Sequence, residues 1–371
     1  MWSERKRGAP DEAGKAERGH SYQAATQLLL SVFPAKVRNQ HNNFSFPRVQ
    51  SQTPLNSRRG FVWYRLGRVH AMSRIVFKLG KSIYNLKNPK ERRRWLAFQM
   101  RTLLHYSGVS DLYSWFQSDP ERQEMLRRYP YPIEQVQRRF FYAGASFRER
   151  SELIRNHVSM ASERFLPEVA MALGTASGSY RIWSAPDEGT PWTVEMTNMP
   201  GNRKEGMLTL VMRYGEIVLY QMMFWLGPDQ NREEALWIGA LQGPNTEDAC
   251  DLIRETTKRA FTFRTKNLIL YILMAVARCL RVKHIYAVSF KGYYAYARRD
   301  HKLKTDLDSF WQEAGGHLLA DERFYEIPLT APRKPIEEVP SKKRAAYRRR
   351  FAFLDDADEQ VLAGMGKLLK D

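Results

Sequence analysis

The chain has 371 residues and carries 59 Lys and Arg against 40 Asp and Glu, a formal charge of +19. Hydrophobic residues make up 43%, enough for a sizeable core, which excludes a wholly disordered chain. No apolar run approaches the ~20 residues that a transmembrane helix needs, and two cysteines, Cys250 and Cys279, exclude a disulfide framework.

Residues 1–71 hold 12 basic and 4 acidic side chains and show no lasting helical or strand period. They are expected to be a disordered basic extension, and Met72 reads as a natural start. The first 20 residues are polar and carry no secretory signal.

From Ile75 onward the period is helical. Asn88 and Pro89 open a helix over Glu91–Tyr106, with Trp95, Phe98, Met100, Leu103 and Leu104 at helix spacing. Helices are predicted over Ser110–Ser118 and Pro120–Arg128. Tyr129 to Pro132 should break the chain, before helical segments at Ile133–Arg139 and Phe147–Phe165.

Near Gly178 the character turns to strand. Ser179–Ala185 and Thr193–Asn198 alternate, and Met207–Tyr214 and Glu216–Leu226 form a hairpin about Gly215. Ala235–Leu241 is a further strand. A helix over Thr246–Phe261 follows, capped by Asn245 or Thr246. The apolar stretch Asn267–Leu280 reads as a buried or interfacial helix, and both cysteines are expected as buried thiols in a reducing compartment. His284–Ser289 is a strand, Thr305–Ala314 a helix ending at Gly315, and Arg323–Leu329 a last strand. This order gives an α+β protein: a helical region (72–177), a mixed sheet flanked by helices (178–332), and a basic tail or helix (333–371). Residues 333–350 hold 8 basic and 2 acidic side chains.

Leu241 to Pro244 after a strand, Thr257 with Lys258, the apolar helix, Ala287 to Ser289, the run Asp308 to Gly316 and the basic tail together resemble the bacterial VirK/YbjX family over about residues 75–365. The resemblance implies a Gram-negative source and a role in virulence, envelope integrity or antimicrobial-peptide tolerance. The order of elements and the basic tail suit a cytoplasmic protein or one peripheral at the inner membrane.

Segment 207–329 also resembles the core of a GNAT-type acyltransferase. That likeness implies acyl-CoA, with its pyrophosphate at the turn Gln242, Gly243, Asn245 and Thr246, where a helix N-terminus offers free N–H groups. Pro244 removes one donor there. Catalysis would fall to Tyr294, His301 or Ser289, just beyond a strand end. The plain alternative has the tyrosines Tyr293, Tyr294 and Tyr296 packing only. The dispersed histidines show no metal-ligand spacing. The charge suits an anionic membrane surface or an envelope lipid, with a non-enzymatic binding factor or a nucleic-acid binder as alternatives. Arg344 and Arg348, and likewise Lys343 and Tyr347, share helix faces that suit headgroups.

Overall fold

The computed structural model describes residues 75–244, 246–295 and 306–371. The basic extension, the Met72 start, Asn245, Tyr296 and His301 lie outside them.

Local signals set most helix ends. After a helical segment α1 (75–83), α2 (Pro89–Leu104) opens with Pro at its first turn and Asn88 accepting the Lys90 N–H. α3 (Tyr106–Gln117) and α4 (Pro120–Arg128) follow, the latter capped by Asp119. As expected, the chain breaks after Arg128, where Tyr129 leaves the helical conformation and ends α4. A short α5 (Tyr131–Gln135) starts there, because Pro132 sits in a first turn, where its missing N–H costs nothing. α6 (Phe147–Arg164) begins with a capping box between Ser146 and Glu149. α7 (Pro167–Gly174) was not foreseen.

Among the described residues the sheet has eight strands: β1 (Ser179–Ser184), β2 (Trp192–Thr197), β3 (Leu208–Tyr214), β4 (Ile217–Pro228), β5 (Glu234–Gln242), β6 (His284–Val288), β7 (His317–Leu318) and β8 (Phe324–Ile327). Their spatial order is β1-β2-β3-β4-β5-β6-β8-β7. Every neighbour is antiparallel except β5 and β6. The expected β3–β4 hairpin is present, with Gly215 at φ +56°, a left-handed turn conformation that glycine adopts without strain. The parallel connection from β5 to β6 runs through α8 (Ala249–Arg259) and α9 (Thr265–Cys279), while α10 (Leu307–Glu313) and α11 (Ser341–Gly366) complete the chain. Helices before and around a mixed sheet make this an α+β fold, as expected.

Each face of the sheet is covered. On one, α9 is buried from Leu268 to Ala277, with Phe353, Leu354 and Val361 of α11 beside it. This accounts for the apolar run: α9 meets the sheet on one side and α11 on another. On the other face, Phe98, Leu112, Phe140 and Ile154 pack with Trp225, Val288 and Phe324 of the sheet. The basic tail is the start of α11, where Arg350 donates to the Phe261 carbonyl and Arg344 to those of Val339 and Glu337. Cys250 is exposed, not buried, in the first turn of α8 beside the exposed Asp251 and Arg254; Cys279 is half-buried.

Candidate functional site

β5 and β6 pair only from Ala235 to Ile238 and His284 to Ala287. Beyond this, β5 stays with β4, placing Leu241 opposite Met222 and Gln242 opposite Gln221. The chain after β6 turns away toward β8, where the Ser289 N–H donates to the Arg323 carbonyl. The two strands therefore fork. Met223, Ala240, Tyr293 and Ala295 line the opening, with Tyr294 packed against them.

A carboxylate is buried in this fork. Glu205 is 5% exposed. The Tyr293 hydroxyl donates to its Oε1, and Gln242 Nε2 donates to its Oε2 at 2.5 Å. Gly239 permits this placement, since a Cβ there would lie 1.7 Å from the Glu205 carbonyl oxygen. The segment carrying Glu205 thus lies directly on the backbone of β5. Burial is the main force on its ionisation and raises the carboxyl above its usual range. Burial, and then the Glu205 charge, push the Tyr293 phenol well above its ordinary value. The arrangement is a desolvated carboxyl held by a phenol that keeps its own proton, a candidate proton acceptor and equally a satisfied polar strut inside the sheet.

The sequence-derived candidates divide. Gln242 joins Glu205, and the Tyr294 ring lies tilted against Tyr293 with centroids 4.8 Å apart. Ser289 is buried; its hydroxyl donates to the Glu322 carbonyl at 2.7 Å and accepts the Gly292 N–H at 2.9 Å, so it ties down the turn. Gly243 and Thr246 are exposed. Nothing in the sequence marks Glu205: it lies 37 residues from Gln242 and 88 from Tyr293, and only the crossing at Gly239 brings them together.

The turn after β5 does not suit a pyrophosphate. α8 begins at Ala249, three residues later than expected, because the Ala249 N–H turns back to the Thr246 carbonyl and Asp248 becomes the cap. Glu247, Asp248 and Asp251 are all exposed about this first turn. They offset the partial positive charge of the helix end and repel a polyanion, and Pro244 brings no N–H.

Elsewhere, a cavity of about 340 Å³ includes Arg164, Arg278, Arg281 and Lys370. It lies where α6, α9 and α11 all end. Each C-terminus contributes about half a negative charge, and Glu163 and Asp371 add theirs. The basic groups there mainly offset that charge.

One helix face stands out. Lys90, Arg93, Ala97, Met100 and Leu104 follow one another at spacings of three and four along α2, and all five are exposed. Met100, Leu103 and Leu104 are 42%, 47% and 76% exposed. All three stand at helix spacing in the sequence, but they do not face the core. Instead the helix buries Phe98, Gln99 and Thr102 on its far side. Lys87 and Arg92 are also exposed at the basic end. No helix among the described residues is long and apolar enough to cross a membrane.

Comparison with known proteins places the chain. The model of the family described as "Protein of unknown function (DUF535)" matches residues 87–363. YbjX of Escherichia coli K12, an uncharacterised protein, is 30% identical over 273 residues, covering 71% of this chain and 81% of YbjX. The chain belongs to the VirK/YbjX family. An uncharacterised protein of Haemophilus influenzae is 27% identical over 220 residues, covering 57% of this chain and 70% of its own length. A Mannheimia haemolytica protein called membrane protein LapB is 22% identical over 203 residues, or 52% of this chain and 82% of LapB. No solved structure matches.

Proposed function

We propose that this VirK/YbjX protein is a peripheral envelope factor that docks on an anionic membrane surface through the exposed face of α2, and supports envelope integrity from there. One observation carries the reading: on the exposed side of α2 an apolar half, Met100, Leu103 and Leu104, continues a basic half, Lys90, Arg92 and Arg93, with Lys87 just before the helix. Apolar burial plus attraction to acidic headgroups is what holds an interfacial helix on a bilayer. Exposed leucines beside four cations fit acidic lipid better than a neutral protein surface. The overall charge of +19 and a relative named as a membrane protein agree with it. Co-sedimentation with phosphatidylglycerol vesicles tests it. The chain should bind these and not phosphatidylcholine vesicles, and Arg92→Glu with Arg93→Glu should weaken binding by at least about 1 kcal/mol per lost charge at low salt. Equal binding to both vesicle types would remove the reading.

A second reading is acyl transfer to an envelope component at the fork. It is supported by the strand order, in which one parallel pair opens inside an antiparallel sheet and a helix follows β5, as in a GNAT-type domain. Glu205 would be the proton acceptor, next to Tyr293. The carboxylates around the first turn of α8 argue against coenzyme A as the donor. Loss of envelope acylation in Glu205→Gln, with folding kept, is the expected sign of this activity; unchanged acylation would dismiss it.

A further inference from the structure

At the end of the sheet opposite the fork, the β4–β5 turn and the first residue of β6 bring two carboxylates to a histidine. One ligand atom each from Asp229, Glu233 and His284 lie within 4.8 Å of one another. The imidazole is held from behind: its Nδ1 is 2.8 Å from Glu326 Oε1, while its Nε2 is 2.9 Å from Glu233 Oε2. A carboxylate that accepts the Nδ1 proton leaves Nε2 as the free lone pair, the way proteins orient metal-binding histidines. Asp229 is fixed as well. Its Oδ1 accepts the N–H groups of Asn231 and Glu233, each at 2.8 Å, and its Oδ2 accepts the Tyr286 hydroxyl at 3.2 Å. The His284 ring stacks on Tyr286 with centroids 5.6 Å apart, and Tyr286 continues an aromatic row through Trp237 to Trp225. The cluster thus stands on a rigid part of the sheet.

We propose that Asp229, Glu233 and His284 form a binding site for a divalent transition-metal ion of the zinc class, with Glu326 orienting the histidine. One nitrogen and two oxygens suit zinc or manganese better than calcium or magnesium, which favour all-oxygen shells. Metal–ligand arms of about 2.1 Å put donor atoms about 3.4 Å apart on a tetrahedron. Glu233 Oε2, now 2.9 Å from His284 Nε2, has to draw back to that spacing to admit the ion, which its exposed side chain allows. The ion takes the place of the proton between Nε2 and Glu233, and that proton leaves to solvent. The competing state is an imidazolium clasped by Glu233 and Glu326 with no ion.

Calorimetric titration of the chelator-stripped full chain with zinc chloride separates the two. The unaltered chain should take up zinc at this site. His284→Ala and Glu233→Gln should each lose that equivalent, and Glu326→Gln should weaken it by about 10- to 100-fold, all with unchanged circular dichroism. Glu233 is exposed, so its variant reports even if His284→Ala fails to fold. No zinc uptake by the unaltered chain, or uptake that persists in Glu233→Gln, overturns the proposal.

Discussion

Replacing Tyr293 by Phe removes one oxygen and leaves the ring among Met223, Ala240 and Ala295. The lost group is the donor to Glu205 Oε1. Among the described hydrogen bonds Glu205 then keeps the one from Gln242, and it is too buried for water to replace the phenol. A hydrogen bond to a charged group contributes about 1.5–3 kcal/mol. At about 2–4 °C per kcal/mol for a domain of this size, melting should fall by about 3–12 °C. The sign of the pH dependence follows from Glu205. Burial raises its pKa in the folded state, so its contribution to stability is fullest below the ordinary carboxylate range and is lost as pH rises through the raised value. The missing phenol matters most when Glu205 is charged. The gap between the variant and the unaltered protein should therefore widen as pH rises. Scanning calorimetry at several pH values measures it, with Glu205→Gln as the control that flattens the trend. A gap that is absent, or that narrows as pH rises, would refute the coupling of Tyr293 to Glu205.

Three other outcomes follow from single sites. Gly239→Ala puts a methyl group 1.7 Å from the Glu205 carbonyl oxygen; it should cost about 3 kcal/mol or more in denaturant unfolding and displace Glu205, because backbone blocks the new atom. His157 is fully buried and accepts the Leu226 N–H at 3.0 Å, and burial pushes its pKa down to about 3. Stability from this group is complete above about pH 6.5 and should be lost toward pH 3 at up to about 1.4 kcal/mol per pH unit, a slope that His157→Gln should remove from acid-unfolding curves. Ser146→Ala breaks the capping box of α6 and should cost about 1 kcal/mol by the same denaturant assay.

Much of the fold was legible in the sequence because local chemistry sets it. Asn88 with Pro89, Asp119 with Pro120, and the alternating strands about Gly215 each carry their own signal, and α9 stands out as an apolar run. What escaped depends on distant partners. α7 is eight residues long, too short for its period to show. Met100, Leu103 and Leu104 share the helical period of Trp95 and Phe98, so composition could not say which stripe of α2 meets the core. Gln242 and the tyrosines after β6 were visible as candidates, but the buried acid that joins them comes from the loop before β3. The Asp229, Glu233 and His284 cluster was equally hidden, because His284 lies 51 residues beyond Glu233 and meets it only through the parallel pairing of β5 with β6.

The most direct test of membrane docking is flotation of the full chain with phosphatidylglycerol vesicles, comparing the unaltered protein with a Leu103→Ser, Leu104→Ser variant. Given how much of each side chain is already exposed, their burial in lipid should contribute about 2–3 kcal/mol, so the pair should weaken binding by roughly 30- to 150-fold with no loss of thermal stability. Flotation of the variant at the unaltered level would contradict the account and leave α2 as an ordinary solvent-facing helix.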